Sequence, residues 1–267
     1  GWGNFQPTQQ LVDEFSMENG LPITDPASGY DPNNPYEGRE KRFYATILYN
    51  GSKWRNEFEI TTQLGGNNSI DLGYSNDNTH TGYYARKRLN ENKDLSMFGN
   101  ETSYENYMFF RYGEVLLNFA EAENEVNGPT KEVLDAVNSV RTRNGNMPKV
   151  EDVFKSLNKE SMREIIRRER RVELCFEDKR WWDIRRWEIA DKLPDGSPGV
   201  MSVPLKGMLI KEDNGTLTYT IVDVRERKFL PKMYLMPLPQ GAIDRNSVIA
   251  AQNGGEDNWV NGQNPGY

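Results

Sequence analysis

The sequence predicts a mainly α-helical protein in which packed helical hairpins carry long loops and short β-hairpins. Three observations predict this class. Three successive runs between residues 106 and 187 place apolar residues at helical spacing; the stretches on either side, 1–105 and 188–267, are rich in Asn, Gly, Asp and Pro; and Asn50-Gly51 and Asn214-Gly215 each sit between β-prone runs. The whole is expected to form one compact unit.

Composition limits what such a scaffold does. A chain of 267 residues has the length for a real core, and 36% hydrophobic with 11% aromatic content suggests display loops on a packed frame rather than disorder. Net charge −7 argues against general binding to polyanions, which needs surplus Lys and Arg. The lone Cys175 rules out an internal disulfide and a thiolate zinc site, and the lone His80 rules out two-histidine metal motifs. No cofactor and no metal are expected. No run has the length of a membrane-spanning helix, and "GWGNFQPTQQ" lacks the basic and apolar regions of a signal peptide, so any export signal is expected to have been removed or to lie outside this sequence.

In "FYATILYNGSKWRNEFEI" the Asn50-Gly51 pair predicts a hairpin with strands near 43–49 and 54–60. The Asn- and Gly-rich stretch after it predicts a long displayed loop, the kind of segment that more often carries function than connects elements. "YMFFRYGEVLLNFAEAENEVNG" predicts an amphipathic helix ending near Gly128, with Tyr112, Val115, Leu116, Phe119, Ala122 and Val126 on the packed face and Arg111, Glu114, Asn118, Glu121 and Glu125 opposite. A second helix follows with Thr130 as N-cap, Val133, Ala136, Val137 and Val140 inward, and a stop at Gly145. The short link makes the two a helical hairpin, and Ala120, Ala122 and Ala136 permit the close approach seen in tetratricopeptide-type repeats. Ser161 and Glu164 have capping-box spacing at the start of a third helix, whose stripe runs Met162, Ile165, Ile166, Val172 and Phe176. A second hairpin is predicted at Asn214-Gly215, between "GMLIKE" and "LTYTIV".

Residues 163–187 hold eight arginines and three tryptophans. Interleaved acids make ion pairing, rather than nucleic-acid binding, the expected role of the arginines. Glu169 falls on the apolar stripe, where an acid is tolerated only if paired, so Arg141, Arg143 or Arg180 is expected to close on it. At least two of Trp181, Trp182 and Trp187 are expected to wedge the helix end against neighbours. No two of the 40 acidic residues form a recognisable hydrolase pair, since that pair is defined by a separation in space. "SNDNT" around Asp77 has calcium-ligand composition, which polar turn chemistry explains equally well.

Sugar binding needs flat aromatic faces with polar groups at their edges. The loops of residues 50–90 have that composition. Trp54, Tyr74, Tyr83 and Tyr84 lie among Asn67, Asn68, Asp71, Asn76, Asp77, Asn78, His80 and Arg86. Trp54 is the first choice because it follows a tight turn, and Trp2 is a further candidate because no core stripe claims it.

The stretch "RERRVELCFEDKRWWDIRRW" (168–187) resembles the ERR-x-EL…R-x-W-D-L-x-R-W signature of the RagB/SusD family. Further blocks agree in order: "PTQQLVDEF" with "YDPNNPYEGREKRFYATILYNG", "LLNFAEAENEVNG" with "LDAVNSVRTRNG", and "YLMPLPQGAIDRN" with the terminal "QNPGY". The resemblance, to the C-terminal half of the family, implies a tetratricopeptide-like α-α superhelix. It also implies a surface-exposed outer-membrane lipoprotein that captures glycans without catalysis and passes them to a SusC-type TonB-dependent transporter. On this resemblance, the earlier repeats and the lipid anchor are expected to lie outside this sequence. Asp178 stands where the family usually has Gly, which requires a left-handed residue there, and Asn246-Ser247 where Asn-Pro is common. Rival readings are a peptide-capturing lid of the same architecture and a glycosidase.

Overall fold

The computed structural model describes residues 5–55, 57–73, 77–92, 106–143, 147–254 and 260–267. The protein is mainly helical, with short paired strands, and its chain divides into two compact units rather than the single one expected. One comprises residues 1–180 with 205–225, and the other 181–204 with 226–267.

The helical frame of the first unit is α3 (Tyr112–Asn127), α4 (Lys131–Arg141) and α6 (Lys159–Glu173), with the short α5 (Val150–Val153) between the last two. Gly128 ends α3 at φ +77°, and Thr130 caps α4 by accepting from the Val133 amide, so three residues turn the chain into a hairpin. Ala120, Val133, Ala136, Val137, Val150, Met162, Ile165 and Ile166 form the core among these helices. The capping box of α6 lies one turn before the predicted one. Asn158 is the N-cap, its side chain accepting from the Ser161 amide, while Ser161 Oγ accepts from the Asn158 amide. The predicted stop at Gly145 lies outside the described residues; α4 ends at Arg141.

The expected face of α3 is largely reversed, although Leu116 packs against the core and Asn118 is exposed as expected. Gly113, Glu114, Leu117, Ala120 and Asn124 face inward, while Tyr112, Val115, Phe119 and Val126 face solvent. Two causes are visible. Gly113 and Ala120 let neighbouring helices approach closely, and the buried polar groups have partners: Glu114 pairs with Lys179 at 3.1 Å, and the Asn124 amide donates to the Lys159 carbonyl at 3.0 Å.

A second core in this unit joins α1 (Gln9–Val12), α2 (Lys41–Thr46), the end of α6 and β5 (Leu205–Asp213). It holds Val12, Phe15, Tyr36, Phe43, Ile47, Tyr83, Val172, Cys175, Met208 and Ile210. The predicted strand at 43–49 is therefore mostly helix. Phe43 is buried in this core from within α2, so tertiary burial overrides its β preference, while Ile47 enters the same core from the extended residue that follows the helix.

Only β1 (Ile47–Leu48) is extended in that run, and its partner is β4 (Tyr84–Ala85). Asn50-Gly51 forms a turn in which the Ser52 amide bonds the Tyr49 carbonyl and only Gly51 has positive φ. No hairpin is built there, because Asn50 Oδ1 is committed to the amides of Thr62 and Gln63. The predicted second strand instead yields a small hairpin of its own, β2 (Lys53–Trp54) with β3 (Phe58–Glu59).

Asn214-Gly215 does make the predicted hairpin. With φ of +50° and +79° the pair joins β5 to β6 (Thr216–Arg225). The hairpin anchors the loop around Gly82: the Met208 amide bonds the Thr81 carbonyl at 2.8 Å, and a Cβ on Gly82 would stand 2.3 Å from the Met208 carbonyl oxygen.

In the second unit α7 (Arg180–Arg186) begins a core of Ile184, Ile189, Ala190 and Phe229, closed by a 3-10 turn at Pro231–Tyr234 and followed by α8 (Gln240–Asp244) and α9 (Ser247–Ala250). Trp181 meets Phe229 edge-on and Trp187 packs on this core, leaving Trp182 58% exposed. Asn246 caps α9, its Oδ1 accepting from the amides of Val248 and Ile249.

Candidate ligand-binding site

Glu169 and Glu173 of α6 are buried and anchor a network of ion pairs. Glu169 is closed by Arg141 at 3.1 Å and by Arg42 of α2, which also reaches Glu40 and Glu173. Neither of the other candidates, Arg143 and Arg180, closes on Glu169; Arg143 pairs with Glu173 at 2.6 Å, and Arg180 opens α7. Arg111 bridges Glu173 and Glu177, and Lys87 joins Glu177 from the loop side. Burial pushes the Glu173 carboxyl up, but hydrogen bonds from Arg111 and the charges of Arg42 and Arg111 outweigh it and hold the group at about 2. Asp178 follows this network at φ +59°, the left-handed conformation its place requires. These side chains hold helices and loops together.

The loop candidates separate into groups. Tyr83 is fully buried in the aromatic core, its hydroxyl donating to Gln9 Oε1 at 2.7 Å, so its ring has no face for a ligand. The reason is Thr79, whose hydroxyl bonds the Tyr83 carbonyl and folds the chain so that the ring points inward. His80 is half-buried, with Nδ1 2.7 Å from the Asp71 carbonyl and its amide bonded to Gln6. Tyr84 accepts from the Thr79 amide, and Asn68 accepts from the Thr61 amide, so both pin the loop. Asp77 is exposed, while Trp2, Tyr74 and Asn76 lie outside the described residues. Among the described residues no cluster of His, Cys, Asp or Glu could hold a metal. Cys175 is buried, which pushes its thiol up to about 11 and leaves it unreactive.

Trp54 and Arg86 are brought together through a residue that sequence reasoning missed. Glu91 receives Arg86 in a two-pronged contact, Nε to Oε1 at 2.6 Å and Nη2 to Oε2 at 3.1 Å, and also accepts from the Arg55 amide at 2.9 Å. Burial raises the Glu91 carboxyl, but these Arg86 and Arg55 hydrogen bonds outweigh it and keep the group below its ordinary value. Arg55, at φ +57°, turns β2 into β3 and sets Trp54 across from Phe58. Phe58 is 54% exposed, and Trp54 is half-buried. The result is an aromatic pair on a hairpin tip, with an ionised carboxylate and a guanidinium tied to it. No local signal marks Glu91, since its partner lies five residues away on an irregular loop.

The fold is a helical-hairpin frame displaying loops and small hairpins. The SusD family model matches residues 1–267, and the chain belongs to that family. Among curated relatives, SusD-like protein P2 of Formosa agariphila is 32% identical over 161 residues, which cover 59% of this chain and 27% of that protein. SusD-like protein P38 of the same organism is 38% identical over 88 residues, 30% of this chain and 17% of that one. A solved SusD-like protein of Bacteroides fragilis superposes with a TM-score of 0.75 at 32% identity, covering 100% of this chain and 48% of that one. A second solved B. fragilis structure, a SusD-like carbohydrate binding protein, gives 0.71 at 30% identity, covering 92% and 48%. The chain thus spans about half the length of these solved relatives and less of the curated ones.

Proposed function

We propose that this protein binds glycans without catalysis at the bacterial outer membrane and delivers them to a SusC-type TonB-dependent transporter. Membership of the SusD family carries the reading, supported by the likeness to a solved SusD-like carbohydrate binding protein. The contact surface is the tip at Trp54 and Phe58. An aromatic face there packs against the apolar face of a pyranose, and Glu91 and Arg86 bond hydroxyls at its edge. Carbohydrate is favoured over peptide by the likeness to a solved SusD-like carbohydrate binding protein. The surface role implies attachment through a lipid; no described helix is long and apolar enough to cross a membrane.

Native gels containing a panel of polysaccharides test the binding. At least one glycan retards the protein, and Trp54→Ala relieves the retardation. Equal mobility with every glycan sinks the sugar reading; undiminished retardation of Trp54→Ala moves the site elsewhere.

A further inference from the structure

The bases around the Trp54 hairpin are matched by acids of the chain's own. Lys53 and Glu59 stand opposite each other in the β2–β3 register, and Arg55 lies 4.0 Å from Glu57. Arg86 is the most fully committed. Its Nε and Nη2 donate to the two oxygens of Glu91, and its Nη1 donates to the Tyr44 carbonyl at 3.3 Å, so all three nitrogens have an acceptor within the protein. Glu91 is fixed in turn by the Arg55 amide, and its carboxyl, held below the ordinary value, is ionised at neutral pH. Of the bases that follow, Lys87 is drawn to Glu177 and Arg88 to the Phe176 carbonyl.

This arrangement discriminates between ligands by charge. The planar fork of an arginine is what a protein offers to a carboxylate or a sulfate, because two parallel N–H groups match two oxygens. Here Glu91 occupies that fork. An anionic sugar has to displace Glu91 or stand beside it, and like charges a few ångströms apart repel. A neutral hydroxyl meets no such conflict. Glu91 accepts three hydrogen bonds from the chain, which leaves a carboxylate with lone-pair capacity for a hydroxyl donor, and Arg86 keeps two of its five N–H groups for hydroxyl oxygens. The rings of Trp54 and Phe58 add an apolar platform suited to the C–H face of an uncharged pyranose.

We propose that Glu91 determines the specificity of this tip: by filling the guanidinium fork of Arg86 it restricts the ligand to neutral glycans and turns away those bearing uronate or sulfate. The inference rests on the glycan reading above and names the substrate class of the same site. Native gels with matched polymers test it, each neutral polysaccharide running beside the same polymer after oxidation of its primary hydroxyls to carboxylates. Galactomannan and mixed-linkage β-glucan are the neutral probes, with polygalacturonate and alginate as natural polyuronates. Wild type is retarded by a neutral polymer and roughly tenfold less by its oxidised form. Glu91→Gln uncovers the charge of Arg86, so the variant gains retardation by the oxidised polymer that weakens with added salt, and Arg86→Gln added to Glu91→Gln abolishes the gain. Glu91→Ala, which deletes the carboxylate outright, repeats the test should Glu91→Gln fold poorly. Equal retardation of wild type by neutral and oxidised polymers, relieved by Trp54→Ala, overturns the proposal and leaves the glycan reading standing. A folded Glu91 variant that gains nothing also overturns it, because Arg86 is then not what Glu91 withholds. Retardation that survives Trp54→Ala removes Glu91 from the site, and mobility unchanged by every polymer defeats the glycan reading and this proposal with it.

Discussion

Trp54 and Glu169 are both residues whose type poses a question that their surroundings answer differently. Trp54 sits on a two-residue strand with a half-open ring, so Trp54→Ala is expected to weaken glycan retention about tenfold, on the order of an aromatic contact, while melting stays within about 1 °C of wild type. Glu169 has both oxygens in ion pairs with Arg42 and Arg141, and Arg141 keeps only the Pro148 carbonyl as a partner once the carboxylate is gone. Glu169→Ala therefore costs about 3 kcal/mol, seen as a melting temperature lower by roughly 5–10 °C, with glycan retention of the folded fraction unchanged. An unaltered melting curve would refute the structural role. The need for a partner at Glu169 was legible from the acid on its apolar stripe. That Arg42 joins Arg141 there was not, because 127 residues separate Arg42 from Glu169 and only the fold brings them to 2.5 Å.

At the scale of elements, the two Asn-Gly pairs show how local chemistry succeeds where nothing competes with it. At 214–215 both residues adopt positive φ and nine residue pairs align across β5 and β6. At 50–51 the same dipeptide loses its hairpin to the side-chain bonds of Asn50 and the helical packing of Phe43. Two glycines give a matched test. A Cβ on Gly215 meets nothing within 4 Å, so Gly215→Ala costs only the left-handed strain, about 1 kcal/mol; on Gly82 the strain is joined by a 2.3 Å collision with the Met208 carbonyl. Thermal melts should place Gly82→Ala well below Gly215→Ala. Equal melts would mean that the loop does not depend on its backbone contact with β5. Helix α3 teaches the complementary lesson. Its periodicity revealed the helix and its end at Gly128, but two apolar sides gave hydrophobicity no means of choosing which one faces inward, and small residues with partnered polar groups decided it.

Over the whole molecule, the ionic network predicts an acid limb of stability. The folded-state value of Glu173, about 2, lies below its ordinary 4.5, so its contribution is fully present above pH 4.5 and is lost as pH falls toward 2. Glu177 is also held low, where burial is outweighed by hydrogen bonds from Arg111 and Lys87. Glu40 acts the other way: burial, with Glu169 adding to it, raises its carboxyl above the ordinary value despite Arg42, so protonation of Glu40 favours the folded state and softens the limb. Melting temperature is thus expected to hold between pH 7 and 5 and to fall below pH 4.5. Glu173→Gln should melt lower at pH 7 and show a shallower acid limb; a limb as steep as wild type would assign the effect to other groups. By itself the sequence determined the helical class, the capped helical hairpin, the Asn214-Gly215 turn and the family, all of which depend on signals within a few residues or on ordered motifs along the chain. The tertiary structure decided which side of α3 is buried, that Tyr83 belongs to the core, that Arg42 reaches Glu169 and that Glu91 gathers Arg86 to the Trp54 hairpin. Each of those depends on chain segments far apart in sequence competing for the same buried space or the same charge, and no local pattern records the outcome of that competition.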